Sequence, residues 1–323
     1  MTVSSVRIAR GIAGRDTVDT ATDVRATFGG RDTVTIPAGG ATVSDAVTFA
    51  APPLADLAVS MYVISAPAGV TGHPGSRTTS YLHQGNLADA RTLPGAGNTE
   101  HWYLLSRVDV ATPPNAAAVV VLGNSIADGR GSGTDKNDRW PDNLARRLRA
   151  AAATKDVSVL NAGIGGNAVL TGGLGPIALQ RLDRDVLDQP GARWVIVSEG
   201  VNDLGASRAG MADSVATKLI GAYREIVMRA RARHLRVYGA TILPFGGSFY
   251  ATPDREAARQ RINAWIRARG NFDEVVDFDA AMRDPAEPTR LRSDADGGDH
   301  LHPNENGYRI MAEAIELTLF AER

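Results

Sequence analysis

Asp299 and His302 stand three residues apart in the run GGDHLHPNENGY, near the end of a 323-residue chain. A carboxylate at that spacing can reach the imidazole across one turn of backbone, and Pro303 biases His302 toward extended rather than helical angles. An imidazole held this way can take a proton from a hydroxyl, which is general-base activation of a nucleophile. The chain has no cysteine, so thiolate nucleophiles, thiolate metal sites and disulfides are excluded. Ser125, in the run GNSIADG just after an apolar run, is a hydroxyl placed where such a base could use it.

Two further polar runs suit the same chemistry. Asn161-Ala162-Gly163-Ile164-Gly165-Gly166-Asn167 carries glycines that let backbone amides come close to a ligand. Glu199-Gly200-Val201-Asn202-Asp203 offers a side-chain amide donor. A nucleophile, backbone donors, an amide donor and an Asp/His pair are the parts that acyl transfer needs. His300 competes with His302 as base, but Asp299 is its immediate neighbour and less well placed to orient it. Asp294, Asp296, Asp299, His300 and His302 can also be read as a metal cluster. The calcium-loop spacing fails, however, and no second ligand group is evident elsewhere, so no metal or other cofactor is expected.

These runs need elements to position them, and the sequence supplies an alternation. Ala116 to Gly123, AAAVVVLG, is a continuous apolar run, as in a strand buried on both faces. Strands are expected at 157–161, 194–198, 237–243 and 275–278. Helices are expected at 141–153, 176–187, 211–233, 253–269 and 304–320, the last capped by Asn304. Strands alternating with helices imply a three-layer α/β/α domain on a mostly parallel five-stranded sheet, flavodoxin-like, with its site beyond the carboxyl ends of the strands. The polar runs follow strands, as that rule requires.

The first third reads differently. Short strands at 5–9, 32–36, 46–49, 57–64, 78–82 and 102–110 alternate with Gly- and Pro-rich turns, and no helical period appears. A smaller β-sandwich or jelly-roll-like domain is expected there. Thr112-Pro113-Pro114-Asn115 makes a natural boundary, giving residues 1–115 as an accessory domain and 116–323 as the domain that carries the chemistry. The first strand begins almost at the first residue, so a partner strand ahead of it is expected to be missing. His73, His83 and His101 show no metal-ligand spacing and read as ordinary loop or strand-end residues.

A formal net charge of −1 argues against nucleic-acid or anionic-membrane partners. No run of 18 apolar residues exists, and MTVSSVRIARGIAG lacks the apolar core of a signal peptide. The chain as it stands therefore reads as soluble and cytoplasmic; with a leader ahead of it, it would be secreted or periplasmic. Composition leaves the oligomeric state open.

The blocks GNSIADG, NAGIGGN, EGVND and DHLHP resemble those of the SGNH (GDSL-like) hydrolases, over roughly Ala116 to Phe320. A β-module ahead of such a domain is similar to the acetylxylan-esterase-like branch. The resemblance implies a nucleophile at Ser125, a base at His302 oriented by Asp299, and oxyanion donors from the Ser125 N–H, the Gly166 N–H and the Asn202 side chain. It departs at Asn124, where the family usually carries Asp. The α/β-hydrolase elbow G-x-S-x-G is absent, because Ser125 is followed by Ile126-Ala127.

The expected activity is two-step hydrolysis of short-chain, chiefly acetyl, esters on a small molecule or a carbohydrate. Transfer of the acyl group to a sugar or alcohol would use the same acyl-enzyme. A catalytically silent carbohydrate-binding protein is the alternative from another class. Phe245, Phe249 and Tyr250 could line a pocket, and the Gly246–Tyr250 loop is the best placed to meet substrate; Trp140 reads as packing. No substrate-binding residue can be assigned.

Overall fold

The structure is a computed structural model and describes residues 1–321. The chain divides into two compact units: Met1–Val108 with Thr134–Lys136, and the remainder from Asp109 onward.

The first unit is all β. Strand β1 (Thr2–Gly11) pairs antiparallel with β2 (Val18–Arg25), β3 (Val34–Thr35) and β4 (Leu57–Ser65). Two small antiparallel ladders follow, β5 (Gly72–His73) with β8 (Trp102–Tyr103), and β6 (Ser80–Leu82) with β7 (Gly97–Thr99). The buried hydrophobic centre is small, formed by Val3, Val6 and Ala26 with Phe28, Val34, Val59 and Met61 partly covered against them. Strand β2, VDTATDVR, has too few apolar residues to show in the pattern. The stretch 46–49 is not a strand, and the one begun at Trp102 ends at Tyr103. Asp135 belongs to this unit, accepting from the N–H and the hydroxyl of Thr79 (2.8 and 2.5 Å).

The second unit holds five parallel strands: β9 (Ala117–Gly123), β10 (Val157–Gly163), β11 (Ala192–Ser198), β12 (Arg236–Ala240) and β13 (Glu274–Val276), in the order β10-β9-β11-β12-β13. Strand β9 is buried at every position, as its apolar run requires. Its helices are α1 (Ser125–Asp128), α2 (Trp140–Ala150), α3 (Ala178–Leu182), α4 (Val201–Gly205), α5 (Ala212–Ala232), α6 (Pro253–Arg267), α7 (Phe278–Met282) and α8 (Glu305–Glu313). The β9→β10 crossover runs opposite to the later ones, so right-handed connections put α2 on one face and α3, α5 and α6 on the other. Helix α8 packs beside α2, and α5 beside α6. The strand order reverses at β9, and a ligand crevice belongs beyond its carboxyl end.

Element ends differ from the pattern where side chains take over backbone bonds. Strand β12 stops at Ala240, and beyond it Ile242 donates its N–H to Asn263 Oδ1 (2.8 Å) while its carbonyl accepts from Asn263 Nδ2 (2.8 Å) and Arg259 (3.0 Å). Phe278 starts α7 rather than ending β13, since Asp277 caps it by accepting from the Ala280 N–H. Helix α8 ends at Glu313 and is followed by a 3₁₀ turn at Leu317–Phe320. Arg147 of α2 donates to the carbonyls of Ala312, in the last turn of α8, and of Ile315 just past it. The last turn after α3 widens to a π-helix over Asp183–Leu187.

Candidate active site

The turn that carries Ser125 is built first by capping. Asn124 leaves β9 in an extended conformation, and its Oδ1 accepts the Ile126 N–H (3.0 Å), so Ser125 opens a single helical turn. The last strand-end loop runs from α7 to α8, whose cap is Asn304, accepting from the Gly307 N–H (2.9 Å). That cap holds the preceding His302-Pro303 against the body of the unit, where His302 is buried.

The two ends of the unit's sequence meet here. Ser125 Oγ lies 2.9 Å from His302 Nε2, across 177 positions. His302 Nδ1 lies 2.7 Å from Asp299 Oδ2, and Asp299 Oδ1 accepts from the N–H groups of Leu301 (3.1 Å) and His302 (2.8 Å). The carboxylate fixes the proton on Nδ1, leaving Nε2 to accept from the serine hydroxyl. Burial raises the Asp299 pKa, but the bonds from the His302 ring and from the two backbone N–H groups outweigh it. The carboxyl stays below its ordinary range.

The amide donors converge on the same edge. Among the described residues, neither the Ser125 N–H nor the Gly166 N–H has a protein acceptor. Gly166 sits at φ +70°, a conformation that costs a residue with a Cβ and is open to glycine. Asn202 gives one Nδ2 proton to the Asn167 carbonyl (2.7 Å), which leaves the second for a ligand. Its oxygen accepts from the Tyr250 hydroxyl (3.1 Å), and this fixes which end of the amide is the donor. Tyr250 reaches it by packing on Gly205, where an added Cβ would lie 2.4 Å from the ring.

A second layer ties the three strand ends together. Asp128 accepts the Gly165 N–H (3.0 Å), joining the serine turn to the glycine loop. Asp203 accepts from the N–H groups of Val169 and Leu170 (3.0 and 2.9 Å), joining the asparagine block to the same loop; burial pushes its carboxyl up against those bonds. Arg181, fully buried on α3, donates to Gly123 O (3.0 Å), Ala162 O (2.6 Å), Asn167 Oδ1 (3.0 Å) and Glu199 Oε1 (3.3 Å).

Other residues singled out from the sequence are placed elsewhere. His300 bonds to Asp296 (2.5 Å) instead of Asp299, and Asp294 pairs with Arg292 (2.6 Å). Among the described residues no group of three or more His, Cys, Asp or Glu side chains is arranged to hold a metal. Trp140 and Phe245 are buried in the core, while Phe249 is exposed beside Tyr250. Sequence reading did not single out Arg181, and it passed over the roles of Glu199, Asp128 and Asn167. Tyr250 it grouped with pocket-lining aromatics, where its bond to Asn202 gives it a more definite task.

A family model for GDSL-like lipases and acylhydrolases matches residues 121–310. The chain belongs to that family. GDSL-like acylhydrolases are esterases, and the matched span runs from the end of β9 into α8, taking in Ser125, Gly166, Asn202, Asp299 and His302. Similar solved structures include Axe2, an acetylxylan esterase from Geobacillus stearothermophilus, at 21% identity over 64% of this chain and 96% of that one, with a TM-score of 0.47. Another is a GDSL-like lipase from Bacteroides thetaiotaomicron VPI-5482, at 20% identity over 65% of this chain and 91% of that one, with a TM-score of 0.47. No curated protein sequence matched. Among the described residues no helix is long and apolar enough to cross a membrane.

Proposed function

We propose that this GDSL-like acylhydrolase is a serine esterase of short acyl groups, acetyl first among them, acting through an acyl-enzyme. The single observation that carries this is the hydrogen-bonded chain Ser125–His302–Asp299, at 2.9 and 2.7 Å. Ser125 Oγ attacks the ester carbonyl while its proton passes to His302 Nε2. Asp299 keeps the ring in the right tautomer and stabilises the imidazolium. The carbonyl oxygen, now negative, takes hydrogen bonds from the Ser125 and Gly166 N–H groups and from Asn202 Nδ2. Collapse returns the proton from His302 to the leaving alkoxide. Water then repeats the sequence on the acyl-serine and releases the acid.

The Leu174 side chain lies 3.2 Å from where a Cβ on Gly166 would be, and Tyr250 packs on Gly205 beside Asn202; the chain-length preference itself is read by the ester panel. Carbohydrate esters are the substrate class to test, and residues 1–115 are assigned an accessory role to an esterase domain at 116–323.

The test is a panel of p-nitrophenyl esters of increasing chain length together with acetylated sugars, run on wild type and Ser125→Ala. Turnover of acetyl esters should exceed that of long-chain esters, and Ser125→Ala should abolish it to within background. Undiminished turnover in Ser125→Ala would remove the proposal, and a preference for long chains would remove its substrate half. Running the panel with added alcohol separates hydrolysis from transfer, because transfer leaves a new ester in place of free acid.

A further inference from the structure

We propose that Asn124 is a positioning residue for Ser125, its carboxamide bridging the serine's turn to the buried Glu199–Arg181 pair. This rests on the reading of Ser125 as the nucleophile. The amide has work at both ends. Its oxygen caps the turn through the Ile126 N–H (3.0 Å), and its nitrogen donates to Ser198 O and to Glu199 Oε2 (3.3 Å each). Asn124 and Glu199 are both only 2% exposed, so water cannot replace either bond.

Beyond Glu199, the Arg181 guanidinium holds Gly123 O and Ala162 O at the ends of β9 and β10, and Asn167 in the glycine loop. The serine turn is thus anchored to the same buried cation as the loop that carries the Gly166 donor. A carboxamide is the group that fits position 124, since one end must accept and the other must donate. An aspartate there could still cap the turn, but its second oxygen would face Glu199, and the two acids could share the site only by holding one proton between them.

The groups around Glu199 bear on where that proton stays. Arg181 of α3 faces its carboxyl and also pairs with Asp185, and Asp203 of α4 is a second acid whose charge acts on it. Tyr223 of α5 donates to the Glu199 backbone carbonyl (2.8 Å). Burial pushes the Glu199 carboxyl up to about 8, Arg181 pulling it down and Asp203 pushing it further up. Asn124 can donate to that carboxyl whether protonated or ionised. Titration of Glu199 therefore passes without disturbing Ser125, and an aspartate in place of Asn124 would lose this indifference.

The experiment is a set of pH–rate profiles on p-nitrophenyl acetate for wild type, Asn124→Asp, the double variant Asn124→Asp with Glu199→Gln, and Asn124→Ser. Wild type should rise to a plateau that holds above pH 8. Asn124→Asp should lie within a few-fold of wild type near pH 6.5 and then lose about 10- to 100-fold in kcat on the alkaline side, with KM unchanged, as expected of a displaced reacting group. Glu199→Gln in that background supplies a permanent donor to the introduced carboxylate and should restore the plateau. Asn124→Ser keeps the cap but drops the bridge, and should lose about 10-fold in kcat at every pH.

A wild-type profile in Asn124→Asp, or an equal loss at all pH values that Glu199→Gln does not rescue, would overturn the proposal. If the aspartate variant does not fold, the serine variant decides: an unchanged kcat overturns it and a loss confined to kcat supports it. Labelling by a fluorophosphonate separates the two levels. No label on Ser125 in wild type sinks the nucleophile assignment itself. Label on wild type, with Asn124→Asp labelled at the same rate across the whole pH range, sinks only the bridge.

Discussion

Two Asp–His pairs lie within eight residues of one another, and they are opposites. In Asp299–His302 the imidazole is buried (side chain 9% exposed) and the acid is the more open partner, at 38%. In Asp296–His300 the acid is covered, at 11%, and the imidazole stands 47% exposed on a residue at φ +59°. Both have a short Nδ1–carboxylate contact, 2.7 and 2.5 Å, so that bond does not distinguish a base from a surface pair. The second ring nitrogen does. His302 Nε2 meets a hydroxyl, whereas among the described residues His300 makes its side-chain hydrogen bond to Asp296 alone. On the proposed reading, an acid close to a histidine serves acyl transfer only where the fold also delivers a hydroxyl to the other side of the ring.

Substitutions can break or sharpen that contrast. His302→Ala should cost about 10⁴-fold or more in kcat, as expected when a member of such a triad is removed. His300→Ala should leave kcat/KM within about two-fold, because an exposed pair contributes little. A large loss with His300 and a small one with His302 would invert the assignment.

The donors give the next step down. Asn202→Ala should cost about 10²–10³-fold in kcat. Tyr250→Phe, which removes only the hydroxyl that orients the Asn202 amide, should cost about 5- to 10-fold, the worth of one net hydrogen bond. Steady-state kinetics on p-nitrophenyl acetate read all four. A Tyr250→Phe loss as large as that of Asn202→Ala would mean that the tyrosine does more than orient the amide.

Much of the second unit was legible because its first three strands each ended in a distinctive polar run. The apolar run at 116–123, the alternation after it, and the placing of GNSIADG, NAGIGGN and EGVND at successive strand ends could all be read without coordinates. What could not be read was the support beneath them. Arg181 stands in LQRLDRD, where an arginine looks like part of a solvent face, yet it is fully buried because four acceptors from three strand ends and the glycine loop converge on it. Glu199 looks like a loop acid for the same reason. Such contacts span 14 to 75 positions, and no local pattern encodes them.

The first unit was legible only as β. Its pattern is blurred by a small core and by strands such as Val18–Arg25, whose polar residues are tolerated where little is buried. Where β12 and α8 end was also hidden, because Asn263 and Arg147 act on those ends from elsewhere in the chain, while β13 ends early because Asp277, right after it, caps α7.

The most direct measurement is to quench wild type during turnover of p-nitrophenyl acetate and locate the acetyl group by peptide mass spectrometry, across pH 5 to 9. The acetyl group should sit on Ser125, and its rate of appearance should climb to a plateau through about pH 6.5, where a histidine base loses its proton. Asp299, held below the ordinary carboxylate range, stays ionised throughout that climb; its bond to His302 is lost only as pH falls through its own lower pKa. Acetyl on any other residue, or a rate of Ser125 acetylation that falls with rising pH through that range, would contradict the pairing of Ser125 with His302.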